Sequence, residues 1–289
     1  MRTDRDIIIR TDGNIVHLTS LPFTVQNTTG FDTVDVKHNT SQGYGQDGAT
    51  LLGSSVNTRD MSIQGQIYAE TTAEMERLRL LLIALFKPKT DIAITQEYGG
   101  VKKMIIARAK KTPKINFSSV SVIQEYSVNL VAMMPYWEDY ETNVVGIADW
   151  VGGMHFPLQT PTHFGIRRAS LIAVITNDST DDIGMTIKFI AHGIVQNPKL
   201  LNVYTQEFIQ VNCTMADGEV IAITTGDRKT VTRTLEGVSS NYIGHIDLAG
   251  GGYTFLTLKP GDNTFRASAG DGESMLETRI TYKNRYAGV

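Results

Sequence analysis

Residues 59–68 read Arg59-Asp60-Met61-Ser62-Ile63-Gln64-Gly65-Gln66-Ile67-Tyr68. Met61, Ile63, Gly65 and Ile67 alternate with Ser62, Gln64, Gln66 and Tyr68. Successive side chains of a strand point to opposite faces, so this alternation describes a β-strand with one face on a core and the other wet. Just downstream, Thr71-x-x-Glu74 has the form of a capping box, the Thr hydroxyl taking an orphan helix amide and the Glu returning to the cap amide. Met75, Leu78, Leu82, Leu85 and Phe86 then recur at spacings of three and four until Pro88, which cannot continue a helix. A half-buried strand followed by one amphipathic helix, whose apolar face covers a sheet, is the frame for the rest of the chain.

Working outward, the runs 7–9 and 15–18 flank Asp12-Gly13, a hairpin signal, and a polar, glycine-rich loop is expected over 40–53. Beyond the helix, 92–98 and 101–107 flank Gly99-Gly100, the signature of a long hairpin with a primed turn. An extended run over 119–134 ends at Pro135-Tyr136-Trp137. From 138 to 161 the periodicity lapses and Gly146, Gly152, Gly153, Pro157 and Pro161 collect, which places a linker at 139–160 between domains 1–138 and 161–289. No helix signature follows. The runs 171–176, 185–191, 208–213, 220–224, 229–235, 243–248, 253–258, 264–269 and 275–282 are short and extended. Between them stand Asp217-Gly218, Gly226-Asp227, Gly250-Gly251-Gly252, Pro260-Gly261 and Asp271-Gly272. Short strands spaced by turn chemistry describe a β-sandwich.

The 289 residues carry 27 Lys and Arg against 30 Asp and Glu, a net charge of -3, without the cationic excess on which sequence-independent DNA binding rests. Cys213 is the single cysteine, so neither an intrachain disulfide nor a thiolate metal cluster is available, which suits a reducing compartment. The longest apolar run, 80–86, is far short of the roughly 18 residues of a membrane span, and 7–9 is too short for a signal core. Neither export by the secretory route nor membrane insertion is expected.

Gly43-Tyr44-Gly45-Gln46-Asp47-Gly48 has the G-x-G-x-x-G spacing, but polar residues precede it and a strand follows, so it reads as a loop rather than a pyrophosphate cradle. His17, His38, His155, His163, His192 and His245 show no metal-binding spacing. Cys213 ends the alternation Ile209, Val211, Cys213 and reads as a small buried hydrophobe. The acid pairs Asp181-Asp182 and Asp139 with Glu141 read as solvated. No catalytic, cofactor-binding or metal-binding residue is expected, and the chain is not read as an enzyme. A basic stretch, Lys102, Lys103, Arg108, Lys110, Lys111 and Lys114, has no acid between Glu97 and Glu125. It is either a sheet edge kept from aggregating by its cations or a contact arm for an acidic neighbour.

Taken in order, several motifs resemble one family. In the first domain these are Asp47-Gly48-Ala49, Arg59 leading the strand through Gly65, the helix closing at Lys87-Pro88, and Pro135-Tyr136-Trp137. In the second they are Asn197-Pro198-Lys199-Leu200-Leu201-Asn202, the strand 207–211, and Gly218-Glu219-Val220. The series ends with Leu258-Lys259-Pro260-Gly261-Asp262-Asn263-Thr264-Phe265 and Ile280-Thr281-Tyr282-Lys283-Asn284-Arg285-Tyr286. The series resembles the distal tail (Dit) family of long-tailed bacteriophages, the siphovirus tail components. Arg59, Gly65, Pro135, Tyr136, Pro260, Gly261 and Asn263 are fold residues on this reading, Pro260 and Gly261 suiting a type II turn that Asn263 caps.

The resemblance implies a mainly β chain: an N-terminal β-sandwich-like domain with one α-helix and a long hairpin, and a C-terminal galectin-like β-sandwich. It further implies a homo-hexameric ring at the virion tail tip, made in the host bacterial cytoplasm and needing no cofactor. The ring would join the tail tube protein to the tail-associated hub or lysin protein, receptor-binding proteins being possible further partners. Its channel would pass the tape measure protein and then DNA, without specific DNA binding. Lys102, Lys103, Arg108, Lys110 and Lys111 are the expected subunit contact. Two other classes compete: a carbohydrate-binding module on a tail or cell surface, and a hydrolase with an unrecognised acid pair. Residues 161–289 contain neither a tryptophan nor a galectin-type sugar-binding set, and neither domain has spare length for an inserted sugar-binding module.

Overall fold

The computed structural model describes residues 5–11, 13–116, 122–148, 150–152, 165–167 and 171–289. Asp12 of the first turn, residues 119–121 of the extended run, and Gly153, His155, Pro157, Pro161 and His163 lie outside the described residues, as does the N-terminal tetrapeptide. The chain forms two compact units, Met1–Glu141 with Tyr286–Val289, and Thr142–Arg285.

In the first unit an antiparallel sheet runs in the order Asn14–His17, Arg5–Thr11, Ile92–Tyr98, Val101–Ala109, Ile123–Ala132, Arg59–Tyr68, Phe23–Thr29. The Arg59–Tyr68 strand lies opposite Ile123–Ala132 over its whole length, from Tyr68 against Ile123 to Arg59 against Ala132. Met61, Ile63, Gly65 and Ile67 are buried, and the residues between them are half-buried or exposed. Gly99 and Gly100 sit at φ +56° and +81°, the left-handed pair a primed two-residue turn requires, with Tyr98 opposite Val101.

The helix spans Thr72–Leu85. The Glu74 amide donates to Thr71 Oγ1 at 3.2 Å, but the Glu74 carboxylate accepts from the Glu70 amide at 2.9 Å rather than from the cap amide. Met75, Leu78, Leu82 and Leu85 are buried and join a core with Ile7, Ile9, Ile63, Ile94 and Leu130. The expected loop over 40–53 is instead largely a second hairpin, Val36–Ser41 paired with Thr50–Val56. Both its faces are wet, so no apolar alternation marks it.

Beside the two-stranded pairs Trp150–Gly152 with Gly165–Arg167 and Val195–Gln196 with Thr214–Met215, the described residues of the second unit form two larger sheets. One runs Asn143–Ile147, Leu276–Tyr282, Thr186–Ala191, Val220–Thr224, Thr230–Leu235, Val238–Asn241, and the other Ile172–Asn177, Gly261–Ser268, Lys199–Asn202, Phe208–Gln210. Ile187, Phe189, Ile223 and Ile280 of the first share a core with Ile175, Leu200, Ile209 and Phe265 of the second. The mainly β class agrees with the reading of the sequence, and several particulars differ from it. Asn143–Ile147, within the stretch read as linker, is an edge strand in which only Ile147 is buried, which explains its lack of period. Residues 243–248 contain a 3-10 turn, Ile243–His245, and 253–258 form no ladder, only single bridges at Tyr253 and Leu258. Of their apolar members Ile246, Leu256 and Leu258 are buried, while Ile243, Leu248 and Tyr253 are exposed. The last four residues belong to the first unit, not the second.

Candidate assembly surface

The buried Arg59 guanidinium donates from Nη1 to the Phe31 carbonyl at 2.9 Å and to the Gly30 carbonyl at 3.3 Å, and from Nη2 to the carbonyl of Ala287. Burial lowers its pKa from the ordinary arginine value, against the opposing charge of Asp32. Trp137 Nε1 donates to the same Phe31 carbonyl at 3.1 Å, and the two rings lie 5.4 Å apart. Arg59 therefore ties the end of the chain to the Gly30–Phe31 backbone, against which Trp137 also packs. Gly65 faces Thr24 so closely that a Cβ would stand 1.8 Å from its carbonyl oxygen and 2.8 Å from Tyr126 Oη. Burial raises the Tyr126 hydroxyl far above the usual phenol range. In the second unit Gly261 takes φ +86° and Asn263 holds the turn: its amide donates to the Lys259 carbonyl at 2.7 Å and the Gly261 carbonyl at 2.9 Å, while Oδ1 accepts from the Lys259 amide at 2.9 Å.

The basic stretch is less naked than its sequence. Lys102 lies 3.4 Å from Glu97, Arg108 2.6 Å from Asp91, and Lys110 2.6 Å from Asp60, while Lys103 Nζ sits 3.7 Å from the Tyr286 ring centroid. The hydrogen bond from Arg108 holds the Asp91 carboxyl below its usual range. Lys111 and Lys114 are exposed and enter no ion pair among the described residues. The compensating acids were invisible to a local reading because they sit on other strands or across turns.

Beside these cations the sheet has an apolar groove of about 330 Å³, walled by Met104, Ile106, Met133, Met134 and Tyr136, with Asp91, Arg108 and Glu138 also lining it. A second, polar hollow is lined by Asp60, Ser62, Lys110, Lys111 and Asn129. Of the expected site residues, Arg108 and Tyr136 line the groove and Lys110 and Lys111 the hollow, while Lys102 and Lys103 line neither. Arg59, Gly65, Pro135, Pro260, Gly261 and Asn263 are elsewhere and structural in their contacts. The groove's Met104, Ile106, Met133 and Met134 were not singled out from the sequence. For Met104 and Ile106 the signal was apolar residues on both faces of 101–107, where a half-buried strand needs only one; Met133 and Met134 lie just past the strand Ile123–Ala132.

The remaining chemistry is plain. Burial, reinforced by the charge of Glu219, pushes the Cys213 thiol up to about 11, so little thiolate forms near neutral pH. Gly43–Gly48 is a hairpin tip, without the strand-to-helix context of a phosphate cradle. Among the described residues no three His, Cys, Asp or Glu side chains stand close enough to hold a metal ion. Among them too, no helix is long and apolar enough to cross a membrane.

Two family models match the chain: the phage tail protein RIFT-related domain over residues 13–132, and the siphovirus-type tail component, C-terminal domain, over residues 178–286. Among solved structures, the crystal structure of SPP1 Dit (gp 19.1), described as a paradigm of hub adsorption apparatus in phages infecting Gram-positive hosts, is 13% identical. It superposes with a TM-score of 0.69 over 96% of this chain and 98% of that one. The baseplate of phage P2 in its activated conformation with Ca is 10% identical, with a TM-score of 0.56 over 99% of each chain. The same baseplate with Sr is 12% identical, with a TM-score of 0.53 and the same coverage. No curated protein matches the chain by sequence. Fold and matches together define a structural component of siphovirus-type phage tails. The chain belongs to the siphovirus tail-component family of distal tail (Dit) proteins.

Proposed function

We propose that this chain is a ring-forming tail adaptor. Six copies close through the first unit by repeated heterologous contacts, joining the tail tube to the hub or lysin protein below and leaving a channel for the tape measure protein and DNA. The observation that carries this reading is the end-to-end correspondence with SPP1 Dit, which takes in 96% of this chain and 98% of that one. The second unit then stands as the galectin-like domain facing hub or receptor-binding partners, and Lys102, Lys103, Arg108, Lys110 and Lys111 lie at the subunit contact. The near-neutral charge of -3 supports a conduit, since a strongly basic lumen would retain DNA. Such a ring acts by assembly and not by catalysis, and its place is the virion tail tip after synthesis in the host cytoplasm.

Light scattering and negative-stain imaging of the purified full chain, alone and with its tail tube protein, test the reading. Rings of six copies are the expected result. A stable monomer that also fails to join the tube protein overturns it. The carbohydrate-binding alternative has no comparable support, and binding on a glycan array would be needed to restore it.

A further inference from the structure

The outer face of the six-stranded sheet in the second unit carries a pair of cations that stability alone does not call for. Lys188 lies directly opposite Arg279 on the neighbouring strand. Both are exposed while Ile187, Phe189 and Ile280 beside them are buried, so both side chains stand on the outer face. Like charges directly opposite each other in a ladder are destabilising. Arg279 has a counter-charge: its Nε donates to Glu277 Oε1 at 2.6 Å, and the other oxygen of that buried carboxylate is 2.6 Å from His192 Nε2. Lys188 enters no ion pair among the described residues. On the same face a row of hydroxyls, Thr281, Thr186, Thr224 and Thr230, crosses four strands in register. Thr224 and Thr230 bond each other at 2.6 Å. The Thr186 and Thr281 hydroxyls, one pleat away from Lys188 and Arg279, enter no hydrogen bond among the described residues. The turn from Thr224 to Thr230 adds Arg228, exposed and in no ion pair among the described residues, while Asp227 of that turn lies 3.1 Å from Arg285.

We propose that this face binds a polyol phosphate polymer, a chain of phosphodiesters without bases, with Lys188 and Arg279 taking phosphate and the Thr186 and Thr281 hydroxyls taking the polyol. Charge complementarity calls for an anion. Glu277 is the sole acid on the outer face of these strands among the described residues, and it is engaged by Arg279 and His192. Its contact through Nε also holds the guanidinium in place, and a fixed guanidinium fork suits phosphate oxygens. Three observations choose among anions. Two opposed cations fall far short of the roughly six to ten phosphate contacts on which duplex binding rests. No aromatic side chain stands on that face among the described residues, so the bases of a single strand would have nothing to stack on. The row through the cations runs from Gly146 to Ala222, without the large apolar or aromatic anchor that a protein partner buries. The inference goes beyond the ring reading and does not rest on it.

The test titrates the full chain with a synthetic glycerol phosphate oligomer by calorimetry, with single-stranded DNA, duplex DNA and polyglutamate of equal charge as parallel probes. The oligomer is expected to bind saturably, more tightly than the other three, and to weaken as salt is raised. Lys188→Gln should weaken it roughly tenfold, the loss of one charge-assisted contact. Thr186→Val with Thr281→Val should weaken it several-fold while leaving the salt dependence unchanged. Lys259→Gln, which removes the same charge from the turn before the other sheet, should bind as the parent does. Lys188 is exposed and faces a like charge, so Lys188→Gln is expected to melt at or above the parent temperature, which separates lost binding from lost folding. No binding of the oligomer by the parent, or equal binding by Lys188→Gln and Lys259→Gln, overturns the proposal. Tighter binding of either DNA or of polyglutamate overturns it as well and gives the face to a nucleic acid or to an acidic protein.

Discussion

At Gly65 the absence of one carbon sets how closely two strands approach. The Phe23–Thr29 strand carries a bulge between Val25 and Asn27, and this turns the Thr24 carbonyl over Gly65, where a Cβ would stand 1.8 Å from the oxygen. Gly65→Ala is expected to destabilise the first unit by about 1–3 kcal/mol, the cost of overpacking, read as a lowered urea midpoint in Trp137 fluorescence. An unchanged midpoint would mean that the bulge yields freely. Cys213 offers a second test at this scale. With its thiol raised to about 11, burial first and the Glu219 charge second, it is protonated at pH 8. Alkylation by iodoacetamide should then run roughly a hundredfold slower than for a free cysteine and recover as the pH approaches the shifted value. Labelling at pH 8 as fast as free cysteine would contradict the burial argument. Alternation assigns the face, so the inward-facing Gly was legible in kind, while Cys213, expected to be buried, is half-buried and packs against the edge of its core. The atom each one meets was not, since Thr24 and Glu219 arrive from other strands and turns.

Among the elements, the terminal segment is held by a side chain far away in sequence. Arg59 leads the strand that decides the fold, yet its guanidinium closes on Gly30, Phe31 and Ala287. Arg59→Met keeps much of the packing volume and leaves those carbonyls without their donor. We expect residues 286–289 to loosen, with carboxypeptidase trimming them roughly tenfold faster, each tenfold corresponding to about 1.4 kcal/mol of local opening. Trimming at the parental rate would mean that Gly288 packed on Asp32, and Tyr286 beneath Lys103, suffice alone. Element by element, the helix and the Gly99-Gly100 hairpin were readable because capping, period and turn chemistry are local signals. The 36–41 and 50–56 strands and the edge strand 143–147 were not, because wet or mixed faces leave no period.

At the scale of the whole molecule, each unit has its own core, one around Ile63, Leu82 and Leu130, the other around Phe189, Ile223 and Phe265. Phe189→Ala should cost the second unit about 3–5 kcal/mol through the cavity it leaves. Amide exchange should accelerate across Thr142–Arg285 and stay parental in the core strands of the first unit, as measured by mass spectrometry. Acceleration in both units alike would show that they unfold as one.

By itself the sequence determined the mainly β class, the position of the helix, the turns and the side of each strand that turns inward. These follow from spacing along the chain, which backbone geometry converts directly into faces and ends. Only the tertiary structure decided which lysines are already paired, where the apolar groove lies, that the 36–56 hairpin stands uncovered, and that the last residues return to the first unit. Each of these depends on strands distant in sequence becoming neighbours in the sheet, and a local pattern of residues carries no record of the strand that will lie beside it.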